Sequence, residues 1–109
     1  MYKNHILKIT PKAQTDGAQT LGNRGYEYLP HHQIQIEVSA QPSAGTMKIE
    51  YLTPGAAEYV EAEGSPVDLT ALNKAGAYRL DNVFVESFRL TPALFDAAKT
   101  YNVIIASNE

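Results

Sequence analysis

The clearest pattern in this chain has a period of two, and no segment reads as a long helix. From Gln33 to Ala40, Ile34, Ile36, Val38 and Ala40 fall on one face and Gln35, Glu37 and Ser39 on the other. That alternation belongs to a strand with one covered and one wet face. Thr46 to Thr53 repeats it, with Met47, Ile49 and Tyr51 inward and Lys48 and Glu50 outward. Without helices for crossovers a parallel α/β sheet is excluded, so strands must be covered by other strands.

The short loop Gln41-Pro42-Ser43-Ala44-Gly45 between these two strands predicts a hairpin. Pro54-Gly55 predicts the next tight turn. An earlier strand is expected from Lys3 to Ile9, with His5, Leu7 and Ile9 on one face and Pro11 as its end. Later come Glu58 to Ala62, a brief pairing at Val67-Asp68-Leu69, one helical turn within Thr70 to Gly76, and a strand from Ala77 to Leu80. Asp81-Asn82 reads as a two-residue turn into Val83 to Leu90. There the inward parity changes between Val83, Val85 and Phe88, Leu90, which predicts a β-bulge near Glu86-Ser87. Thr91 as N-cap and Pro92 at the first helical position predict a short helix through Ala98. The last strand runs from Thr100 to Ala106, and its Val103-Ile104-Ile105 run predicts burial on both faces. The expected fold is all-β, a single antiparallel sandwich of about seven strands with one short helix, immunoglobulin-like or jelly-roll-like.

A chain of 109 residues suits one domain and can bury one core without a disulfide or a metal. The absence of cysteine leans toward a reducing compartment. No apolar leader and no membrane-length apolar window is present, so a soluble protein made in the cytoplasm is expected. Charge is uneven. Through Gly25, Lys3, Lys8, Lys12 and Arg24 stand against Asp16, four bases to one acid for a net of +3; the remainder holds five bases and eleven acids, a net of −6. A basic segment on an acidic body fits a nucleic acid or the acidic body of a neighbouring copy. Four bases spread over that length, without interleaved stacking aromatics, make a poor nucleic-acid stripe.

The stretch from about 10 to 25 has three glycines, little apolar content and no period, and reads as a long polar loop or arm. Unstructured loops of that length are uncommon in compact domains unless they bind something or are disordered. Lys12, Gln14, Asp16, Arg24, Tyr26 and Tyr28 are the residues expected to meet a partner.

No catalytic, cofactor-binding or metal-ligating set is recognisable. His31 and His32 point to opposite faces of a strand, read as exposed at a strand entrance, and lack cysteines to complete a tetrahedral site. Glu58, Glu61, Glu63 and Asp68 lack calcium-loop spacing and read as a solvated acidic edge. Asp81 with Glu86, or Glu37 with Glu50, could be cross-strand carboxylates, yet both pairs read as outward. There is neither a nucleophile elbow nor a Gly-rich loop between strand and helix. The chain is therefore not expected to be an enzyme.

The residues Ala44-Gly45-Thr46-Met47-Lys48-Ile49-Glu50-Tyr51, Thr53-Pro54-Gly55-Ala56, Val67-Asp68-Leu69, Val85 to Pro92 and the closing strand at Tyr101 carry a resemblance across Ser43 to Ile105. In this block the chain resembles small β-sandwich structural proteins of bacteriophages and prophages. The resemblance implies a virion component, such as a minor capsid, decoration, neck or tail protein, assembled in the host cytoplasm beside other virion proteins and copies of itself. It carries over no catalytic residues. A different class, a carbohydrate-binding or adhesin module, would use Tyr26, Tyr28, Tyr51 and Tyr59 as a stacking platform. Tryptophan, common in such platforms, is absent.

Overall fold

The computed structural model describes residues 4–71, 75–95 and 99–109. Nine strands are found among them: β1 (Asn4–Lys12), β2 (Gln19–Gly22), β3 (His31–Val38), β4 (Thr46–Leu52), β5 (Val60–Glu61), β6 (Val67–Asp68), β7 (Ala75–Leu80), β8 (Ser87–Ala93) and β9 (Tyr101–Asn108). They form an all-β sandwich of two antiparallel sheets. The first has the order β1-β9-β3-β7; the second has β2-β8-β4-β5, with β6 also paired to β4.

Four pairings, β1 with β9, β2 with β8, β3 with β7 and β4 with β5, reflect the chain about one turn. Asn4 faces Asn108, Gln19 faces Leu90, His32 faces Leu80 and Glu50 faces Glu61. In each pair the partners are nearly equally far from Gly55, whose φ of 82° suits the turn there. The chain is thus one long antiparallel ribbon. It rolls over so that β9 also pairs with β3 and β8 with β4.

Rolling brings the alternating apolar residues of both halves together. Ile34 and Ile36 of β3 and Val103 and Ile105 of β9 face Met47 and Ile49 of β4 and Phe88 and Leu90 of β8, all buried. Each such side chain contributes about 1.5–3 kcal/mol by leaving water. Phe95 and Tyr101 meet edge to face at 6.0 Å at one end. Gly45 lies against this end, with φ of 133° and with a Cβ that would fall 2.9 Å from the Phe95 Cα. Any other residue there forces a shift of backbone.

Several expectations are corrected. The strands on either side of Gln41–Gly45 are not a hairpin: β3 is in the first sheet and β4 in the second, so the loop crosses the sandwich. Asp81-Asn82 is likewise a crossing, because β7 and β8 also lie in different sheets. Residues 83–86 are outside the strands, so the parity change is absorbed where β8 begins at Ser87 rather than by a bulge within a strand. Thr91 and Pro92 continue β8 opposite Lys48 and Met47 instead of starting a helix. Beyond Leu90 β8 has no pairing with β2, and a strand with one flank unpaired tolerates proline. The rest of that expected helix includes residues 96–98, outside the described residues. Pro11 does not end β1, which continues to Lys12 after a register irregularity. Ile104 is half-buried, so β9 alternates instead of being covered on both faces.

The expected polar arm is also structured. It comprises the end of β1, a 3-10 turn at Gln14–Asp16 and β2, whose Leu21 sits opposite Phe88. With one apolar residue in four, β2 is held by its ladder to β8 more than by burial. Phe88→Ala is expected to lower the unfolding free energy by about 3–5 kcal/mol. Val60→Ala, at a 49% exposed position, should change it by no more than about 0.5 kcal/mol. Urea denaturation of both variants checks the placement of the core.

Candidate functional site

The ionisable groups fall into three settings: locked in the core, tied on a sheet face, or open on the flanks. His32 is in the first. It is 1% exposed, its Nε2–H donates to the Val83 carbonyl at 2.9 Å, and its Nδ1 lies 2.6 Å from Ser107 Oγ. The expectation of two exposed histidines fails here because β3 turns its even residues inward; His31 remains half-buried beside Asp81 at 3.1 Å. With Nε2 donating, Ser107 donates to Nδ1, the direction a nucleophile and its base would use. Ser107 is itself 1% exposed, so the pair is closed to any substrate and acts as a core hydrogen bond. Burial, aided by the charge of His31, pushes the His32 pKa below its ordinary value of 6.5 against the opposing pull of Val83 and Asp81.

Glu50 and Arg89 face each other on the outer side of the second sheet. Arg89 Nε and Nη2 donate to the two Glu50 oxygens, each at 3.0 Å, and Lys48 Nζ lies 3.7 Å away. The Arg89 fork holds the Glu50 carboxyl below its usual range despite burial. The guanidinium also lies 4.1 Å from the centre of the Tyr59 ring. Tyr59 donates its hydroxyl to Ser87 Oγ at 2.8 Å, and Ser87 donates to the Leu21 carbonyl at 3.3 Å. Glu37 is on the other sheet, where it accepts from Gln35 and Asn102. Glu37 and Glu50 are therefore not a catalytic pair. Asp81 accepts from Arg79 and His31, whereas Glu86 faces a cleft elsewhere.

The six residues expected to meet a partner fall on the two connections beside β2. Lys12 ends β1 opposite Tyr101. The Gln14 side-chain carbonyl accepts the Phe95 N–H, and Asp16 accepts the Ala13 N–H at 2.7 Å. Asp16 fastens its own turn, and Gln14 ties that turn to the segment after β8. Arg24 is exposed and lines an open cleft of about 490 Å³ with Glu27, Glu86 and Ser87. Tyr26 stacks on His5 with ring centres 3.8 Å apart, and Tyr28 is 49% exposed. Asn23, which sequence reasoning passed over, anchors this second connection: fully buried, it donates to the Tyr26 and Val85 carbonyls. Asparagine followed by Arg-Gly was its only sequence signal, a turn.

β1 and β2 touch along one flank. Lys8, Lys12 and Arg24 lie there with Asp16, and Glu27 and Glu86 share the cleft that Arg24 lines. The opposite flank carries exposed Glu58, Glu61, Glu63 and Asp68, with no base between residues 53 and 70. Tyr78 of β7 donates to the Glu63 carbonyl, closing this flank between the sheets. Asp68 accepts from the Thr70 N–H and hydroxyl, which hold its carboxyl below the usual range. Among the described residues, no group of three or more His, Cys, Asp or Glu is placed to hold a metal ion, and no helix is long and apolar enough to cross a membrane. No protein-family model matches the chain, and no curated protein matches it significantly in sequence.

Because the folded pKa of His32 is lowered, the unfolded chain takes up its proton at higher pH. The stability from neutral His32 is present above about 6.5 and lost as pH falls below it toward the folded value. Urea midpoints measured between pH 8 and pH 5 should fall across that window, and His32→Gln should flatten the fall. Glu50→Gln should lower the urea midpoint at neutral pH more than Lys48→Gln. The first breaks a two-pronged charged hydrogen bond; the second removes one longer ion pair.

Proposed function

We propose that the chain is a non-enzymatic structural component of a virus particle, such as a phage minor capsid, decoration, neck or tail protein, present in many copies. The observation that carries this reading is the strand order. The halves pair β1-β9, β2-β8, β3-β7 and β4-β5, and the ribbon rolls to add β9-β3 and β8-β4; we read this order as a jelly roll in preference to an immunoglobulin-like sandwich. Jelly rolls recur in viral capsid proteins and in lectins. Support also comes from how the reactive groups are engaged: His32 and Ser107 hold each other in the core, and Glu50, Arg89, Tyr59 and Ser87 hold one another on a sheet face.

The lectin-like alternative needs tyrosines gathered on one face. Here Tyr51 packs on the core, Tyr26 stacks on His5 and the Tyr59 ring carries Arg89. Sedimentation velocity from micromolar to millimolar concentration, with negative-stain imaging of the heaviest fractions, tests the proposal. Reversible growth into regular multimers is expected. A strictly monomeric chain throughout that range would contradict it.

A further inference from the structure

The open cleft of about 490 Å³ lined by Arg24, Glu27, Glu86 and Ser87 falls within the roughly 300–1,000 Å³ of small-molecule sites. Two chain segments form its rim, and Asn23 ties them together. The Asn23 backbone N–H donates to the Glu86 carbonyl at 2.9 Å, and its side-chain amide donates to the Tyr26 and Val85 carbonyls. The Glu86 N–H donates in turn to the Leu52 carbonyl at 2.7 Å, fixing the same wall to β4. Ser87 is held as well: its hydroxyl accepts from Tyr59 and donates to the Leu21 carbonyl. Gly22 faces Ser87 across the ladder, and a Cβ there would meet nothing within 4 Å. Directly opposed residues share a face of a sheet, so the missing side chain leaves room beside Ser87.

The charged groups around this cleft do not neutralise one another. Arg24 is exposed and, among the described residues, makes no ion pair with Glu27 or Glu86. Glu27 accepts the Gly25 N–H with one oxygen at 2.6 Å. The Glu86 carboxylate has no bonded partner among the described residues. The rim therefore offers one strong donor and two acceptors. A simple anion would meet two carboxylates for one guanidinium, and a simple cation would meet the guanidinium. A hydroxyl both donates and accepts. A ring bearing several hydroxyls in succession thus satisfies Arg24 and both carboxylates whatever their order around the cleft.

We propose that this cleft binds a neutral saccharide, with Arg24 donating to its hydroxyl oxygens and Glu27 and Glu86 accepting its hydroxyl protons. The site needs no platform of tyrosines, and it does not depend on self-association. In a particle of many copies it recurs on every subunit. Simultaneous engagement of several copies then raises a weak single-site affinity by roughly 10²–10⁴ without any new contact.

Titration of the isotope-labelled chain with glucose, galactose, mannose and N-acetylglucosamine, followed by amide NMR, tests this. A saturable response in the millimolar range, confined to amides of residues 22–27 and 85–87, is expected for at least one sugar. Arg24→Ala and Glu86→Gln should each weaken it at least about tenfold, as loss of a charge-assisted bond does. Gly22→Leu, which fills the space beside Ser87, should abolish it, and Lys8→Gln on the first sheet should leave it unchanged. No saturable response to any of these sugars overturns the site, as does a response that Arg24→Ala leaves intact. Lysine and inorganic phosphate are titrated in parallel. Either one binding at the same amides more tightly than every sugar marks a charged ligand and overturns the saccharide assignment. The self-association measured by sedimentation is a separate readout, so the subunit reading and this site stand or fall independently.

Discussion

Hydrogen bonding between residues equidistant from Gly55 places Asn4 against Asn108 at one extreme and Glu50 against Glu61 at the other. The remaining placements follow from that ribbon and its roll. Because the same alternation runs along both halves, folding the ribbon over puts Ile34, Ile36, Val103 and Ile105 against Met47, Ile49, Phe88 and Leu90 without a change of parity inside any of these strands. The crossings between sheets, at 39–45 and 81–86, then carry the groups that alternation cannot bury. There the chain relies on specific bonds, such as Ser39 N–H to the Thr100 carbonyl and Glu86 N–H to the Leu52 carbonyl.

Side-chain chemistry in this molecule is largely spent on holding the ribbon closed. His32 joins β3 to Ser107 of β9 and to the Val83 carbonyl on the crossing, so one neutral imidazole fastens three segments. Arg89 joins β8 to Glu50 of β4 and lies on Tyr59, which reaches back to β8 through Ser87. Tyr101 is buried with its hydroxyl unpaired among the described residues, and burial, with a smaller contribution from Asp16, pushes its pKa up to about 12. The ring is kept for its area, packed edge to face on Phe95.

Much of this was legible in the sequence, and the failures have one physical origin. The period of two in Gln33–Ala40 and Thr46–Thr53 identified β3 and β4 and their buried faces, because burial requires it. It said nothing about which strand lies beside which. A short Pro/Gly loop serves a hairpin within one sheet or a crossing between two equally well, so a hairpin was expected at Gln41–Gly45, where the chain changes sheets. Gln19–Gly22 escaped notice because a four-residue edge strand with one apolar side chain has almost no periodic signal. Pro92 looked like a helix start because the loss of a neighbour that lets β8 accept it is a tertiary fact. Of the expected contact residues, Asp16 braces its own turn, Gln14 ties that turn to Phe95, and Arg24 is exposed on a cleft.

Amide hydrogen exchange tests the closed ribbon most directly, since a strand flanked on both sides has its N–H groups protected. The strongest protection is expected within 101–108, 31–38 and 87–90, each paired on both sides, with faster exchange at 19–22 and 60–61. Equal exchange along all nine strands, or the strongest protection at β2 and β5, would contradict it.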